Sequence, residues 1–291
     1  MKTVLVLTDF SSLANNAASY AVKFAQQIQS NLLLFNAFGS PEKNNMASQG
    51  MIWQTNFEEL QMRSEKALKA LWLNLDSEIK TYLPEADFYP QISFANDFGA
   101  IADLIEGIIF KKSIGLIVMG GQHINNLSRL FIGSDTHDLL DNVICPVLII
   151  PEGVTYHKLK KITYATDLKS TDQPVIASIA TLGKIFSADI SITHVEPNPN
   201  PERLARIKNL ESEIHHQMSY KNIHFKTINS KNITKALYAV KDIEQTDVLV
   251  LMHKKYHFPE SIFHNSVSKI MAKNCHMPLL IYPYTFYQQL N

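Results

Sequence analysis

The sequence has little of what marks secreted, membrane or disulfide-stabilised proteins. Two cysteines among 291 residues are too few for a disulfide framework. No stretch approaches the roughly 20 apolar residues that span a bilayer. The first ten residues, MKTVLVLTDF, lack the apolar core and the small-residue cleavage site of a signal peptide. We therefore expect a cytoplasmic protein that has no membrane partner.

The chain also has no excess of charge of either sign, since its formal net charge is zero. This balance argues against binding to polyanions by bulk electrostatics, and no nucleic-acid-binding motif is present. The two halves differ, however. Residues 1–151 carry 10 Lys and Arg against 15 Asp and Glu, and residues 152–291 carry 17 against 12. The opposite signs favour docking of one half on the other, and an anion-binding basic patch on the second half is the alternative.

The sequence repeats itself once. Residues 4–9 (VLVLTD) correspond to residues 162–167 (ITYATD), and each run is followed by a polar turn and a helix-like stretch. The apolar runs at 32–37, 116–119 and 145–151 recur in the same order at 190–195, 248–252 and 276–283. This many matches in one order indicate two copies of one domain.

Each copy is predicted to alternate five strands with four helices. The apolar runs are short and nearly continuous, which is typical of strands buried on both faces of a parallel sheet. Right-handed crossovers then place helices on both sides. The sequence predicts an α/β protein with two tandem doubly wound parallel five-stranded sheets. The predicted domains are residues 1–151 and 161–291, joined by a linker at 152–160.

The second helix of the first copy is predicted to be long. Thr55 and Glu58 form a capping-box pattern at its start. Leu68, Leu71 and Leu75 follow at helical spacing. Residues 39–54, rich in Asn, Ser, Gly and Met, are predicted to form a surface loop before this helix.

Ligands of open parallel sheets bind beyond the carboxyl ends of the strands, where the strand order reverses. In the first copy these ends carry Asp9, Ala37, Met119 and Gly120. A glycine there lets the backbone approach a phosphate closely. Gly133 and Ser134 precede a predicted helix that begins near residue 135, whose free N–H groups can hold an anion. A carboxylate such as that of Asp9 can accept hydrogen bonds from a ribose or a base.

These residues resemble those of the universal stress protein family. Its ATP-binding members carry Gly, two residues, Gly, nine residues, Gly and then Ser or Thr, after a strand that ends in Met, and an Asp just past the first strand. Met119, Gly120, Gly133, Ser134 and Asp9 match that pattern. The resemblance implies a Rossmann-like fold of the adenine nucleotide α-hydrolase-like type and an ATP site, with Mg²⁺ as an accompanying ion. It also implies an internal pseudo-dimer of the two domains and association into homodimers.

The predicted nucleotide site departs from the family pattern at two places. His123 stands where the second glycine belongs, so its ring either crowds the triphosphate or donates to it. Asp135 follows Ser134, where it either caps the helix or competes with phosphate for the helix dipole. The complete predicted site comprises Thr8, Asp9, Ala37, Met119, Gly120, Gln122, His123, Gly133, Ser134, Asp135 and Thr136.

The second copy has lost more of the motif and is predicted to be a degenerate domain. His253 and Asn265 are aligned with Gly120 and Gly133, and Tyr256 with the second glycine. Asp167 and Ser266 remain. The loop residues His253, Lys254, Lys255 and His257 are an alternative anion site or, less simply, a metal site. Cys145 and Cys275 precede the last strand of each copy and are interpreted as buried small residues.

Three functions are compatible with these observations. The first is a regulatory protein of the stress response that binds ATP without chemistry. The second is a slow ATP hydrolase, for which His123 and Asp135 are the available catalytic groups near the phosphates. The third is a ligand-free interaction module in which both sites are vestigial.

Overall fold

A computed structural model describes most of the chain as two compact units, Met1–Tyr156 and His157–Asn291. The residues described are 2–39, 50–82, 87–121, 139–168, 172–198, 201–253, 267–274 and 276–288. Each unit is described below by itself.

The first unit alternates strands and helices along the chain. Its described elements are β1 (Thr3–Leu7), α1 (Ser12–Gln27), β2 (Leu32–Phe38), α2 (Gly50–Tyr82), β3 (Ile92–Phe98), α3 (Ile101–Lys112), β4 (Ile114–Gly121) and β5 (Val147–Pro151). Residues 139–142, between β4 and β5, are also helical.

The second unit repeats this order. Its described elements are β6 (Lys161–Thr166), α4 (Asp172–Phe186), β7 (Asp189–Glu196), α5 (Pro201–Gln217), β8 (Ile223–Asn229), α6 (Ile233–Glu244), β9 (Val248–His253), α7 (Val267–Asn274), β10 (Leu279–Pro283) and a short terminal helix α8 (Tyr284–Gln288). The helix α8 has no counterpart among the described elements of the first unit.

Both units contain a parallel five-stranded sheet of the same topology. The order is β3-β2-β1-β4-β5 in the first unit and β8-β7-β6-β9-β10 in the second. The chain leaves β1 towards β2 and β3 on one side and returns to β4 on the other. The strand order therefore reverses between β1 and β4, and likewise between β6 and β9. The predicted fold class, two tandem doubly wound parallel sheets, is confirmed.

The burial of the strands explains this arrangement. The strands β1 and β2 are buried along almost their whole length, whereas every residue of the edge strand β3 is half-buried or exposed. Helix α1 packs on the sheet through small buried residues, Ala14, Ala17, Ala18, Ala21 and Ala25. Because these side chains are short, the helix axis can approach the sheet closely.

Helix α2 differs from the sequence prediction at its start. It begins at Gly50, so Thr55 lies inside the helix and the capping-box prediction is wrong. Residues 51–54 (MIWQ) contain neither Gly nor Pro, so nothing in them stops the helix. Residues 50–54 of the predicted surface loop are therefore helical, and residues 40–49 lie outside the described part of the chain. Within the described ranges, no helix combines the length and apolarity needed to cross a bilayer.

Candidate functional site

The carboxyl end of β1 passes into α1 through a turn that side chains hold. The Thr8 Oγ1 accepts from the Phe10 N–H at 3.0 Å. The Asp9 Oδ1 accepts from the Ser11 N–H at 3.0 Å and from the Ser11 hydroxyl at 2.6 Å. Ser11 in turn caps α1 by accepting from the Ala14 N–H at 3.2 Å. This network holds the Asp9 carboxylate at the crevice through Oδ1, and among the described residues no hydrogen bond reaches Oδ2.

Strand β2 supports the same turn from the side. The Asn36 amide donates to the Thr8 carbonyl at 2.7 Å, and the Ser64 hydroxyl donates to the Asn36 Oδ1 at 2.7 Å. Asn36 and Ser64 are both buried. Ala37 is the next residue of the strand and is half-buried. These hydrogen bonds join α2 and β2 to the end of β1, so the backbone of Thr8, the residue before Asp9, is held in place.

Gly120 is required by packing at the end of β4. A Cβ atom on Gly120 would lie 2.6 Å from Leu13 Cγ and 3.1 Å from the Leu13 carbonyl oxygen. The first turn of α1 thus occupies the space that any side chain at Gly120 would need. The sequence predicted that this glycine lets a phosphate approach, whereas in the structure the group that approaches its Cβ side is Leu13.

The structure brings three of the predicted site residues to one crevice. Asp9, Met119 and Gly120 line it, together with Leu7, Ser11, Leu13 and Ala14. The space they enclose is about 10 Å³, at the lower limit for one water molecule. Thr8 is buried below the crevice. The other predicted residues, Gln122, His123, Gly133, Ser134, Asp135 and Thr136, lie outside the described part of the chain.

The second unit reproduces the turn after its first strand. Val4 pairs with Leu32 and Ile162 with Ile190, a shift of 28 positions in both units, which agrees with the offset of 158 positions between the sequence repeats 4–9 and 162–167. The Thr166 Oγ1 accepts from the Leu168 N–H at 2.8 Å, as Thr8 does from Phe10. Leu168 and Phe10 both have left-handed backbone, with φ of 61° and 65°. The two turns are therefore equivalent, although residues 169–171 are not described.

Strand pairing corrects the sequence alignment at the end of β9. Val6 pairs with Val118 and the equivalent Tyr164 with Val250, so Gly120 corresponds to Met252 and Gly121 to His253. The last strands agree, because Gly121 pairs with Pro151 and His253 with Pro283. The alignment of His253 with Gly120 was wrong by one residue. The period-two geometry of a strand makes such a slip consequential, because it exchanges the two faces of the sheet.

At its own switch point the second unit has a cavity of about 500 Å³. Asp172, at the start of α4, lies in its lining and is buried. The Tyr164 hydroxyl donates to the Asp172 Oδ1 at 2.6 Å, and the Thr166 hydroxyl donates to the Asp172 Oδ2. Burial, and then the adjacent Asp172 charge, raise the pKa of the Tyr164 hydroxyl well above its ordinary value. The hydroxyl therefore stays protonated and serves as a donor to the carboxylate.

Sequence reasoning missed this group. With the offset of 158, Asp172 stands at the position of Ala14 and Tyr164 at the position of Val6. Polar residues at the buried, apolar positions of a repeat are the signal that could have revealed the cavity.

Two other sequence predictions concern His253 and Cys145. His253 is a buried strand residue whose Nδ1 lies 2.8 Å from the Ser268 Oγ, rather than a member of a solvated loop cluster. Lys254, Lys255 and His257 lie outside the described residues, as does Cys275. Cys145 is buried as predicted, and burial raises the pKa of its thiol to about 12. At neutral pH the thiol is protonated, which is consistent with a packing role.

The complete fold has solved counterparts. A universal stress protein from Archaeoglobus fulgidus superimposes with a TM-score of 0.72 and 14% identity, covering 97% of this chain and 98% of the other. A protein from Pseudomonas aeruginosa described as a putative universal stress protein gives 0.58 and 15%, covering 100% and 96%. The cytoplasmic domain of a prokaryotic cation chloride cotransporter gives 0.55 and 8%, covering 98% and 96%. No curated protein sequence matches this chain.

The sequence also matches a family model. The model of the universal stress protein family covers residues 1–151, the whole sheet of the first unit. This region includes the Asp9 turn and the end of β4 that form the crevice. Because the match spans more than half of the residues, the chain belongs to the universal stress protein family.

Proposed function

We propose that the first unit binds ATP or a related adenine nucleotide, and that the protein acts in the stress response by regulation rather than by catalysis. The observation that carries the proposal is the Asp9 carboxylate. It lies where the strand order reverses, it is fixed through Oδ1 by Ser11, and its Oδ2 makes no hydrogen bond to the described residues, so that a ligand could bind there. Ligands of open parallel sheets bind at this point.

The residues of the first unit have chemistry that suits a nucleotide. Asp9 would accept hydrogen bonds from a ribose hydroxyl or an amino group of the base. The apolar wall formed by Leu7 and Met119 would face the base. Gly133 and Ser134, which precede the predicted helix, would receive the phosphates through backbone N–H groups. Bound Mg²⁺ would neutralise phosphate charge.

Regulation is favoured over catalysis by the role of Asp9 in the turn. Its carboxylate is tied to the backbone and hydroxyl of Ser11, an arrangement that fixes an acceptor in place. A hydrolase would need a general base or a metal-holding carboxylate near the phosphates, and the sequence offers His123 and Asp135 for that task. Slow hydrolysis is therefore the alternative activity, and measurement of phosphate release with Mg²⁺ distinguishes it.

Isothermal titration of the full chain with ATP tests the proposal. We expect a stoichiometry near one, and we expect Gly133→Val to abolish binding because a bulky side chain obstructs the phosphates. The matched control is Asn265→Val, the corresponding change in the second unit, which should leave binding unchanged. Two equal sites, no binding at millimolar ATP, or normal binding by Gly133→Val would each contradict the proposal.

A second measurement separates this proposal from a ligand-free module. Mass spectrometry of the protein purified from cells should detect a copurified adenine nucleotide. The absence of nucleotide, together with a silent titration, would favour an interaction module with a vestigial site. The proposed location in the cell is the cytoplasm.

A further inference from the structure

Helix α5 is attached to the second unit along a narrow seam. Of its 17 residues, Ile207 and Ile214 are buried, and these two lie about two helical turns apart. The helix α2, which has the equivalent place in the first unit, buries a longer aliphatic stripe: Leu68, Leu71, Leu75 and Ile79. Most of the stability of a protein helix comes from the packing of its apolar face. The attachment of α5 therefore depends on few apolar contacts.

In the first unit an aromatic cluster joins the helix to the sheet. Phe57 of α2 packs against Phe38 at the end of β2 and Phe98 at the end of β3, and its ring centroid lies 5.6 Å from each of theirs. The rings of Phe38 and Phe98 also contact each other, with centroids 5.9 Å apart. Aromatic pairs at these distances stabilise a fold beyond the area that they bury. The cluster therefore holds α2 against the ends of two neighbouring strands.

The second unit has polar residues at the two strand positions of this cluster. Glu196 lies 158 positions after Phe38, the offset of the sequence repeat. Phe38 pairs with Phe98 in the first sheet, and Glu196 pairs with Asn229 in the second. Glu196 and Asn229 thus stand where the first unit has two phenylalanines. The aromatic contact that holds α2 has no equivalent at these two positions.

An ion pair joins the start of α5 to the sheet instead. The Glu196 side chain is completely buried, and neither of its carboxylate oxygens has a hydrogen-bond partner in the described part of the chain. The Arg203 guanidinium lies 3.6 Å from the Glu196 Oε2, which is longer than a hydrogen bond, and half of the Arg203 side chain is exposed. A buried carboxylate without hydrogen bonds costs free energy. Because water would hydrate this carboxylate when α5 moves away, the contact favours a helix that can open.

The same part of α5 lies over the cavity of the second unit. Arg203 and Arg206, in the first two turns of the helix, belong to the wall of the space of about 500 Å³. His194 of β7 also lines the cavity and is buried. Its counterpart in the first unit, Asn36, accepts from the Ser64 hydroxyl of α2, so this strand position faces the covering helix. Movement of α5 would therefore remove one wall of the cavity and expose residue 194.

We propose that α5 is a gate over this cavity. The helix opens as a local unit while the sheet of the second unit stays folded, and the ion pair between Glu196 and Arg203 is the latch that holds it closed. Local opening of a single weakly packed element is common in native proteins. The gate does not depend on nucleotide binding by the first unit, since it involves other residues.

Native-state hydrogen exchange of the full chain, read by peptide mass spectrometry, tests the gate without any substitution. The backbone amides of α5 should be at least about a hundredfold less protected than those of β6 and β7, because they exchange through local opening. The amides of residues 65–79 in α2 should be more protected than those of α5. If α5 and β7 were equally protected, the helix would open only when the whole unit unfolds, and the proposal would be wrong.

A matched pair of arginine variants tests the latch. Arg203→Ala leaves the buried Glu196 carboxylate without its counter-charge, so the α5 amides should exchange about tenfold faster while those of β6 and β7 are unchanged. The control is Arg206→Ala, because the Arg206 guanidinium pairs at 2.9 Å with Glu202 of the same helix. Loss of this exposed pair should alter the exchange of α5 by less than about twofold. Equal effects of the two variants would show that the Glu196–Arg203 pair is not the latch.

A double variant tests the role of the buried charge. Adding Glu196→Met to Arg203→Ala removes the unpaired carboxylate and keeps an unbranched side chain at this position. Replacement of a buried ion pair by apolar groups is often neutral or stabilising. The protection of α5 should therefore return to within about threefold of that in the unaltered protein. Exchange as fast as in Arg203→Ala alone would contradict the proposed latch.

A thiol beneath the helix tests whether opening uncovers the cavity. In the variant His194→Cys, N-ethylmaleimide should modify residue 194 slowly, and peptide mass spectrometry measures the rate at this position. Adding Arg203→Ala should raise the rate about tenfold, in parallel with the exchange of the α5 amides. Adding Arg206→Ala should leave the rate nearly unchanged. An identical rate in all three proteins would show that access to the cavity does not depend on α5.

Discussion

The contact between Gly120 and Leu13 allows a quantitative prediction for Gly120→Ala. The new methyl group would lie 2.6 Å from Leu13 Cγ, whereas apolar carbon atoms prefer about 3.5–4.0 Å. The start of α1 cannot retreat freely, because Ser11 ties it to the Asp9 turn. Overpacking of this kind costs about 1–3 kcal/mol. We expect about 2 kcal/mol of lost stability, since the Leu13 backbone is also close, at 3.1 Å.

Urea unfolding followed by tryptophan fluorescence measures this loss of stability in the first unit. Both tryptophans of the chain, Trp53 and Trp72, belong to the first unit, and the Trp72 indole donates to the Ile92 carbonyl at 3.1 Å. With a urea dependence of about 2 kcal/mol per molar, the midpoint should fall by about 1 M. The signal is insensitive to unfolding that is confined to the second unit.

Two further variants make the reasoning refutable. Gly107→Ala is the matched control, because Gly107 is exposed in α3 and a Cβ there meets nothing within 4 Å. It should stabilise the first unit by about 0.5–1 kcal/mol. Adding Leu13→Ala to Gly120→Ala should recover part of the loss, because the side-chain clash disappears and the backbone contact remains. If Gly120→Ala unfolds within about 0.5 kcal/mol of the unaltered protein, the packing explanation for this glycine fails.

Two more predictions concern the Asp9 turn and the alkaline limit of stability. Ser11→Ala should destabilise the first unit by about 1 kcal/mol, because the helix cap is lost. It should also weaken ATP binding, because the hydrogen bond from the Ser11 hydroxyl that orients Asp9 is lost. Unchanged ATP affinity would show that Asp9 needs no such support. Burial raises the pKa of Tyr282 to about 12. The stability that the protonated hydroxyl contributes is therefore fully present below the pKa of the unfolded chain, near 10. It is lost as the pH rises from there towards 12. Between these pH values the unfolding free energy of the unaltered protein should fall more steeply than that of Tyr282→Phe, by about 1.4 kcal/mol per pH unit. Denaturant titrations at several pH values, followed by circular dichroism, measure the two slopes. An identical slope for both proteins would contradict the assignment.

The local pattern of the sequence was sufficient for the fold. Nearly continuous apolar runs such as residues 4–7 and 32–35 predict strands covered on both faces, and their repetition at 162–165 and 190–193 predicts a second sheet. The place of the crevice follows as well, because topology alone puts it between β1 and β4. The first residue of a helix is harder to predict from the sequence. The capping pattern at Thr55 predicted a start there, whereas the helix begins at Gly50.

Tertiary structure decided what occupies each crevice. Leu13 and Gly120 are more than a hundred positions apart in the sequence, and only the packing of α1 on β4 shows that one excludes a side chain at the other. Likewise, Tyr164, Asp172 and His194 come from a strand, a helix and a second strand, and they meet only when the sheet of the second unit forms. Periodicity records which face of an element is buried. It does not record which buried side chains from different elements face one another, because that depends on register and on the distance between layers.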